Sequence, residues 1–164
     1  MKTGAPVLDS FIDDFRGFES LFTGPGFIQR NYKKDSFLND EANYGKWQYY
    51  IVRGFVEAVY PDEEGANHML FQKPKGSIVP LNYTEPACLT YSENIYLRAI
   101  EDTRVIEFST ELLRRLIHSR PDFALKCLEH KDKDANLSYY RVLTLLLPDS
   151  FKKVCRLLND FYNG

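Results

Sequence analysis

The sequence predicts a mainly β domain, either a sandwich or a barrel, that is followed by helices. Between about residues 27 and 108, short runs rich in Tyr, Phe, Ile and Val alternate with turn residues, as in domains built from many short strands. After Phe108 the apolar residues take a helical spacing. Pro121 opens and Pro148 ends a longer helical stretch, which would be roughly 40 Å long.

Length and composition indicate one compact domain with an appended helical piece. The chain has 164 residues, of which 44% are hydrophobic and 27% are charged. No apolar run approaches the roughly 20 residues of a membrane span, and the first residues lack the apolar stretch of a signal peptide. We therefore expect a cytoplasmic protein. A net charge of −2 argues against a DNA-binding surface on this chain.

The cysteines and histidines are widely scattered. The three cysteines, Cys88, Cys127 and Cys155, lack a Cys-x-x-Cys spacing, and we expect them to be small buried side chains. The alternative is that Cys88 senses redox state. The histidines lack metal-ligand spacing and are expected at or near the surface: His68, His118 and His130. The sequence predicts no metal site and no cofactor.

The order of the elements follows from local signals. Residues 6–22 carry apolar side chains at steps of three and four, which predicts a helix that ends before Gly24. Two strand segments meet at Gly54, and residues 61–65 form a polar hairpin turn before a returning strand. Ser109 is a candidate N-cap for the first helix after the strands, and Asp149 with Ser150 can cap a last one.

The long helix carries two seven-residue tracks of the kind found in coiled coils. The tracks are polar in the middle and apolar toward the C-terminal end. They predict a dimer seam formed by Leu128, Ala135, Val142 and Leu145. The alternative is packing within one chain, with Tyr139 and Leu146 as core residues.

Several short segments occur in an order that resembles one known family. They are 49–56, 62–65, 74–76, 96–100, 112–117 and 120–122, followed by the long helix. Each segment alone is weakly specific. Their order and spacing together resemble the cyclic-nucleotide-binding domain of Crp/Fnr-type bacterial transcription regulators, over about residues 32 to 162.

The resemblance implies a double-stranded β-helix (jelly-roll) barrel with N-terminal helices and a long C-terminal dimerisation helix. Residues 1–120 would be the effector-sensing barrel with flanking helices, 121–148 the dimerisation helix, and 149–164 the first helix of a winged helix-turn-helix domain. In the family the DNA-recognition helix comes next, and nothing follows Gly164. We therefore expect a homodimeric piece of a longer regulator, or a naturally shortened one, that contacts DNA through a domain this sequence lacks.

The cassette that holds a cyclic nucleotide in this family is altered. In the family a Gly-Glu pair binds the ribose, and an Arg followed by Ser or Thr binds the phosphate. Pro80 and Leu81 stand at the first pair, and Glu93 and Asn94 at the second. Pro80 has no backbone N–H, and a carboxylate about 4 Å from a phosphate would cost roughly 4 kcal/mol at an effective dielectric near 20. The sequence therefore argues against cAMP and cGMP.

Aromatic and polar residues occupy the positions where the family binds its effector. Such a lining suits a small aromatic ligand. The run 94–96 and the pair 139–140 resemble Crp/Fnr regulators that sense halogenated phenols in dehalogenating bacteria. The predicted effector-binding residues are Tyr83, Tyr91, Asn94, Tyr96, Ser138 and Tyr139. The alternative is that these tyrosines are ordinary strand and core residues.

Other functions remain as alternatives. One is a ligand-free dimerisation or protein-interaction module on the same fold. Another is a cyclic-nucleotide or haem sensor with a divergent site, in which His68 would be the axial haem ligand. A cupin-type metal enzyme needs several histidines in the barrel. The barrel region of this sequence contains one histidine, His68, so we expect no enzymatic activity.

Overall fold

The computed structural model describes residues 15–40, 45–83, 95–147 and 149–155. Its strands are β1 (Ile28–Tyr32), β2 (Trp47–Arg53), β3 (Phe55–Pro61), β4 (Asn67–Pro74), β5 (Ile78–Val79), β6 (Tyr96–Ala99) and β7 (Thr103–Ser109). Its helices are a 3-10 helix (Arg16–Leu21), α1 (Thr110–Ser119) and α2 (Pro121–Leu145), and residues 150–155 are also helical. No helix of this described part is long and apolar enough to cross a membrane.

The strands form two antiparallel sheets. One has the order β1-β7-β2-β5 and the other the order β4-β3-β6. Buried apolar side chains from both sheets form one core cluster, which includes Tyr49 and Ile51 of the first sheet and Val56 and Leu97 of the second. Among the described residues no strand ladder joins the two sheets, so the observed arrangement is a sandwich. The closed double-stranded β-helix stays a prediction.

Strand β2, inside the four-stranded sheet, is buried on both faces. Tyr49 and Ile51 point toward the second sheet, so Tyr50 between them points the other way. On that other face its ring lies 4.6 Å from the ring of Phe22, and Phe22 also stacks on Phe108 at 5.5 Å. This second layer explains why four consecutive residues of β2, 48–51, are all buried.

The segment before β1 differs from its prediction. Within the described residues, the expected α-helix is a 3-10 helix that covers Arg16–Leu21, and residues 6–14 lie outside the description. No side chain caps its start, and the Phe15 N–H donates to the Gly76 carbonyl at 3.0 Å. Gly24 follows with a φ of 90°, and short helical pieces such as this one are often of the 3-10 type.

The join between β2 and β3 at Gly54 is confirmed. Gly54 has a φ of 96°, and a Cβ atom there would lie 2.9 Å from the Cα of Thr103. A β-bulge in β2 shifts the pairing of Arg53, the residue before Gly54, by one position. Ile51 pairs with Val105, but Arg53 pairs with Arg104, so Val52 is the extra residue in β2.

The predicted helix caps are confirmed as well. The Leu112 N–H donates to the Ser109 hydroxyl at 3.2 Å at the start of α1. At the last described helix, the Phe151 N–H donates to the Asp149 carboxylate at 2.8 Å. Each cap satisfies a backbone donor that has no partner inside its helix.

The described residues divide into two compact units. Those up to Ala124 form one, here called the sheet unit, and those from Leu125 form the other, here called the helical unit. Within the helical unit, His130 is 4% exposed and its imidazole lies 3.2 Å from the Asp134 carboxylate. The expected surface position of His130 is therefore wrong, because a carboxylate one turn along the helix gives the buried ring a partner.

Candidate functional site

The altered cassette begins directly after β5. Leu81 has a φ of 53° and a buried side chain. The buried amide of Gln48 holds the next residue from both sides: it donates to the Asn82 carbonyl at 3.0 Å and accepts from the Asn82 N–H at 3.2 Å. At the position where the family places a ribose-binding acid, this chain therefore places an apolar side chain in its core.

Tyr83 lies beside α1. Its carbonyl oxygen accepts a hydrogen bond of 3.1 Å from the Arg114 guanidinium, and its side chain is half-buried. The next residues of the predicted site, Tyr91 and Asn94, lie outside the described residues.

Tyr96 begins β6 and is half-buried. Since Leu97 belongs to the core cluster and side chains alternate along a strand, Tyr96 points to the outer face of the three-stranded sheet. There its ring lies 5.5 Å from the ring of Phe37. On the same face, Arg98 and Glu57 form an ion pair with a separation of 2.5 Å. An effector in contact with Tyr96 would lie against this outer face.

A second segment of chain fixes the position of β6. The buried Asn39 side chain donates to the Ile95 carbonyl at 3.0 Å and accepts from the Leu97 N–H at 2.6 Å. The Leu38 N–H donates to the Leu97 carbonyl at 2.8 Å. The sequence analysis did not single out Asn39, because an asparagine before a turn gives no signal of a long-range contact.

Ser138 and Tyr139 belong to the helical unit. The Ser138 hydroxyl donates to the Asp134 carbonyl at 2.9 Å, and the Tyr139 side chain is 69% exposed. Of the predicted effector residues that are described, the structure thus places two in the sheet unit and two in the helical unit.

The predicted dimer residues lie on exposed helix surface. Leu128 is 56% exposed, Val142 54% and Leu145 71%, and Ala135 is also exposed. A different stripe of α2 is buried, namely Cys127, His130, Leu137 and Thr144. Burial raises the pKa of the Cys127 thiol to about 12, so this cysteine is not a reactive thiolate at neutral pH.

The described residues show no metal-binding cluster, and the candidate haem ligand His68 has a hydrogen-bond partner. They contain no group of three or more His, Cys, Asp or Glu side chains that could hold a metal ion. The Nε2 atom of His68 lies 2.6 Å from the Asp62 carboxylate in the β3–β4 hairpin. The candidate axial haem ligand is thus engaged in a local contact.

A polar groove of about 280 Å³ opens on the four-stranded sheet, at the end near Gly54. Its charged lining consists of Lys33, Arg53, Asp102 and Arg104. Lys33 donates to Asp102 at 2.9 Å, and this hydrogen bond lowers the pKa of the Asp102 carboxyl. These residues were not singled out from the sequence, because the bulge that groups them has no clear sequence signal.

Several solved structures of transcription regulators have a fold similar to that of this chain. No protein-family model matches the sequence, and no curated protein matches it. A structure of CprK complexed with OCPA has a TM-score of 0.71 and 18% identity, over 92% of this chain and 65% of that chain. CprK has also been solved in complex with o-chlorophenolacetic acid, with a TM-score of 0.63 and 19% identity, over 83% of this chain and 53% of that chain.

Two other regulators are similar in structure. A CooA mutant from Carboxydothermus hydrogenoformans has a TM-score of 0.67 and 16% identity, over 86% of this chain and 62% of that chain. A transcriptional regulator from Thermotoga maritima has a TM-score of 0.62 and 12% identity, over 78% of this chain and 96% of that chain. These proteins are Crp/Fnr-type regulators, and the resemblance found in the sequence is confirmed at the level of the fold. The chain spans less than two thirds of the CprK and CooA chains.

Proposed function

We propose that the chain is the effector-binding and dimerisation part of a Crp/Fnr-type transcription regulator, and that it senses a small aromatic molecule rather than a cyclic nucleotide. The fold shared with CprK carries this proposal. In it, residues 1–120 are the sensor, 121–148 the dimerisation helix, and 149–164 the first helix of a winged helix-turn-helix domain, through which such a regulator contacts DNA.

The cassette positions support the choice of ligand class. Leu81 directs an apolar side chain into the core, and Pro80 offers no backbone N–H. A phosphate needs cationic or N–H donors at close range, and a buried leucine side chain supplies neither. An aromatic effector instead depends on ring contacts, which Phe37 and Tyr96 can provide together on the outer face.

Arg98 gives this face a second recognition element. Its guanidinium lies on the same side of the sheet as Tyr96 and is partly exposed beside Glu57. An aryl acid could place its ring against Phe37 and Tyr96 and its carboxylate near Arg98. Tyr83, Tyr91, Asn94, Ser138 and Tyr139 remain further proposed contacts.

Ligand titration tests the effector class. The 164-residue chain is titrated with o-chlorophenolacetic acid, with a panel of phenols and aryl acids, and with cAMP, by calorimetry and by thermal unfolding. An effector at 100 times its Kd should add about 2.7 kcal/mol to the free energy of unfolding. Tyr96→Ala should weaken aryl-acid binding by about tenfold, which is about 1.4 kcal/mol, since it removes one ring contact.

Tyr60→Ala is the matched control for this experiment. Tyr60 is a partly exposed tyrosine of β3, on the same sheet, and it pairs with His68 in the hairpin. Its replacement should leave aryl-acid binding unchanged. Binding of cAMP without binding of any aryl compound would contradict the proposed ligand class. A chain that dimerises but binds none of these compounds would instead be a ligand-free dimerisation module.

The exposed apolar stripe of α2 supports a homodimer. Val142→Asp places a charge in the middle of the stripe, where a dimer would bury it without a partner. We expect the dimer Kd to rise by about 100-fold, which corresponds to about 2.7 kcal/mol. Sedimentation equilibrium over a range of micromolar concentrations measures this change.

Asn136→Asp is the control for the dimer. Asn136 is also exposed on α2 but lies outside both seven-residue tracks, and the change adds the same charge. Its dimer Kd should stay within about twofold of the original, since a rim charge has little effect. If both variants dissociate equally, or if the original chain is a monomer at tens of micromolar, the predicted seam is wrong.

A further inference from the structure

The polar groove next to Gly54 contains a row of side chains across three strands. Asn31 of β1 is the register partner of Arg104 of β7, and Arg104 is the register partner of Arg53 of β2. Residues directly opposite each other in antiparallel strands project from the same face of the sheet. The Arg104 guanidinium donates to the Asn31 side chain at 3.4 Å. The two guanidinium groups therefore share one side of the groove with an amide.

The bulge in β2 creates this pairing of like charges. With regular pairing, Val52 rather than Arg53 would stand opposite Arg104, because Ile51 stands opposite Val105. The extra residue shifts the strand by one position and brings two arginines face to face. Two like charges directly opposite each other destabilise a sheet, whereas bulges that re-aim a side chain occur often beside functional sites.

The charged side chains that line the groove carry a net positive charge. Asp102, the carboxylate of the groove lining, accepts hydrogen bonds from the Lys33 ammonium at 2.9 Å and from the Lys34 N–H at 3.1 Å. No described carboxylate forms an ion pair with Arg53 or Arg104. Asp102 bonds to Lys33 and is also attracted electrostatically by Arg53, so one carboxylate faces three cationic side chains and the groove lining keeps an excess of positive charge.

The backbone beside the arginines is fixed. The buried Thr103 hydroxyl lies 2.8 Å from the Glu101 carbonyl and 3.2 Å from the Phe55 carbonyl, which share its one proton. Gly54 packs against Thr103 so closely that a Cβ atom would not fit. A groove with a rigid floor and two adjacent guanidinium groups is a suitable receptor for an oxyanion, since the planar forks of arginine match its oxygen atoms in pairs.

We propose that this groove binds the phosphate group of a small molecule, with Arg53 and Arg104 as its paired ligands. Lys33 and the Asn31 amide lie at the same groove and can donate further hydrogen bonds to the phosphate oxygens. A volume of about 280 Å³ can hold a phosphate with a small organic group. The proposal is independent of the aromatic effector, which would lie against the other sheet.

Arginine side-chain NMR tests the site directly. The ¹⁵N-labelled chain is titrated with inorganic phosphate and with glycerol 3-phosphate, against glycerol and against chloride at matched ionic strength. We expect saturable shifts of the Nε–Hε resonances of Arg53 and Arg104 with both phosphates. Glycerol and chloride should give no saturable shift.

Three charge-matched variants complete the test. Arg53→Gln and Arg104→Gln should each raise the phosphate Kd by at least about tenfold, because each removes one of two charge-assisted contacts. Arg30→Gln is the control: Arg30 lies on β1 of the same sheet, outside the groove, and pairs with Glu107 at 3.4 Å. Its phosphate Kd should stay within about twofold of the original.

Stability without ligand gives a second, independent readout. In chloride buffer, Arg53→Gln should have a urea midpoint equal to or higher than that of the original chain, since it removes a like-charge pair. Phosphate should raise the urea midpoint of the original chain but not that of Arg53→Gln. The absence of saturable shifts, or equal phosphate binding by all three variants, would overturn the proposal. Tighter binding of a DNA duplex than of glycerol 3-phosphate at Arg53 and Arg104 would also overturn it, because the ligand would then be a nucleic acid.

Discussion

Replacing Phe22 with alanine should lower the free energy of unfolding by about 3–5 kcal/mol. The Phe22 side chain is 2% exposed and joins the 3-10 helix segment to the outer face of the four-stranded sheet. Its ring lies 4.6 Å from that of Tyr50, 5.5 Å from that of Phe108 and 6.1 Å from that of Phe123. Since the surrounding rings are held by strands and a helix, they cannot collapse into the space, and a cavity remains.

Urea unfolding measures this change, with Phe37→Ala as the control. Phe37 is 48% exposed, so Phe37→Ala removes the same atoms but leaves little cavity. We expect it to lower the free energy of unfolding by less than about 1 kcal/mol. Equal losses for the two variants would mean that the aromatic layer does not contribute as described. Phe37→Ala also reports on the proposed effector face, because it removes the ring beside Tyr96 without unfolding the chain.

Gly54→Ala should cost about 3 kcal/mol, although it adds a single methyl group. Two effects contribute. Gly54 has a φ of 96°, a region that side chains with a Cβ atom avoid, and the new Cβ would lie 2.9 Å from the Thr103 Cα. A backbone atom cannot move aside as a flexible side chain can, so β2 and β7 must separate locally.

Gly65→Ala isolates the first of these effects. Gly65 has a similar φ of 83°, but nothing lies within 4 Å of its would-be Cβ atom. Its replacement should cost about 1 kcal/mol, the conformational penalty alone. If the two glycine variants lose equal stability, close packing at Gly54 is not the cause. In the phosphate titration, Gly54→Ala should also weaken binding, because the same displacement moves Arg53.

Much of the fold follows from local sequence signals. The strands that meet at Gly54, the Ser109 cap and the Asp149 cap were all predicted, because each depends on residues close together in the chain. The 3-10 geometry of Arg16–Leu21 was not predicted, since a long-range contact from Phe15 to Gly76 and the turn at Gly24 determine it. Apolar spacing alone does not distinguish a 3-10 turn from the start of an α-helix.

The sites were less predictable than the fold for a physical reason. Tyr96 was selected as a candidate from its neighbours in sequence, but the face on which it lies depends on the register between β3 and β6. The arginine pair depends on a one-residue bulge, and regular alternation would have placed Val52 opposite Arg104. Register shifts of this kind arise from packing between strands, which a single sequence does not reveal.

Strand β6 lies at the border of its sheet, and its outward backbone groups are nevertheless occupied. The Leu97 N–H and carbonyl bond to Asn39 and Leu38, and the Ala99 N–H and carbonyl bond to Ser36 and Asp35. Another polypeptide could not extend the sheet along Leu97–Ala99 without first displacing residues 35–39. Residues 35–39 thus protect this strand from edge-to-edge aggregation, to which an unpaired strand is prone. Asn39→Ala would leave the Leu97 N–H and the Ile95 carbonyl without this partner, and increased self-association into β-rich aggregates should follow.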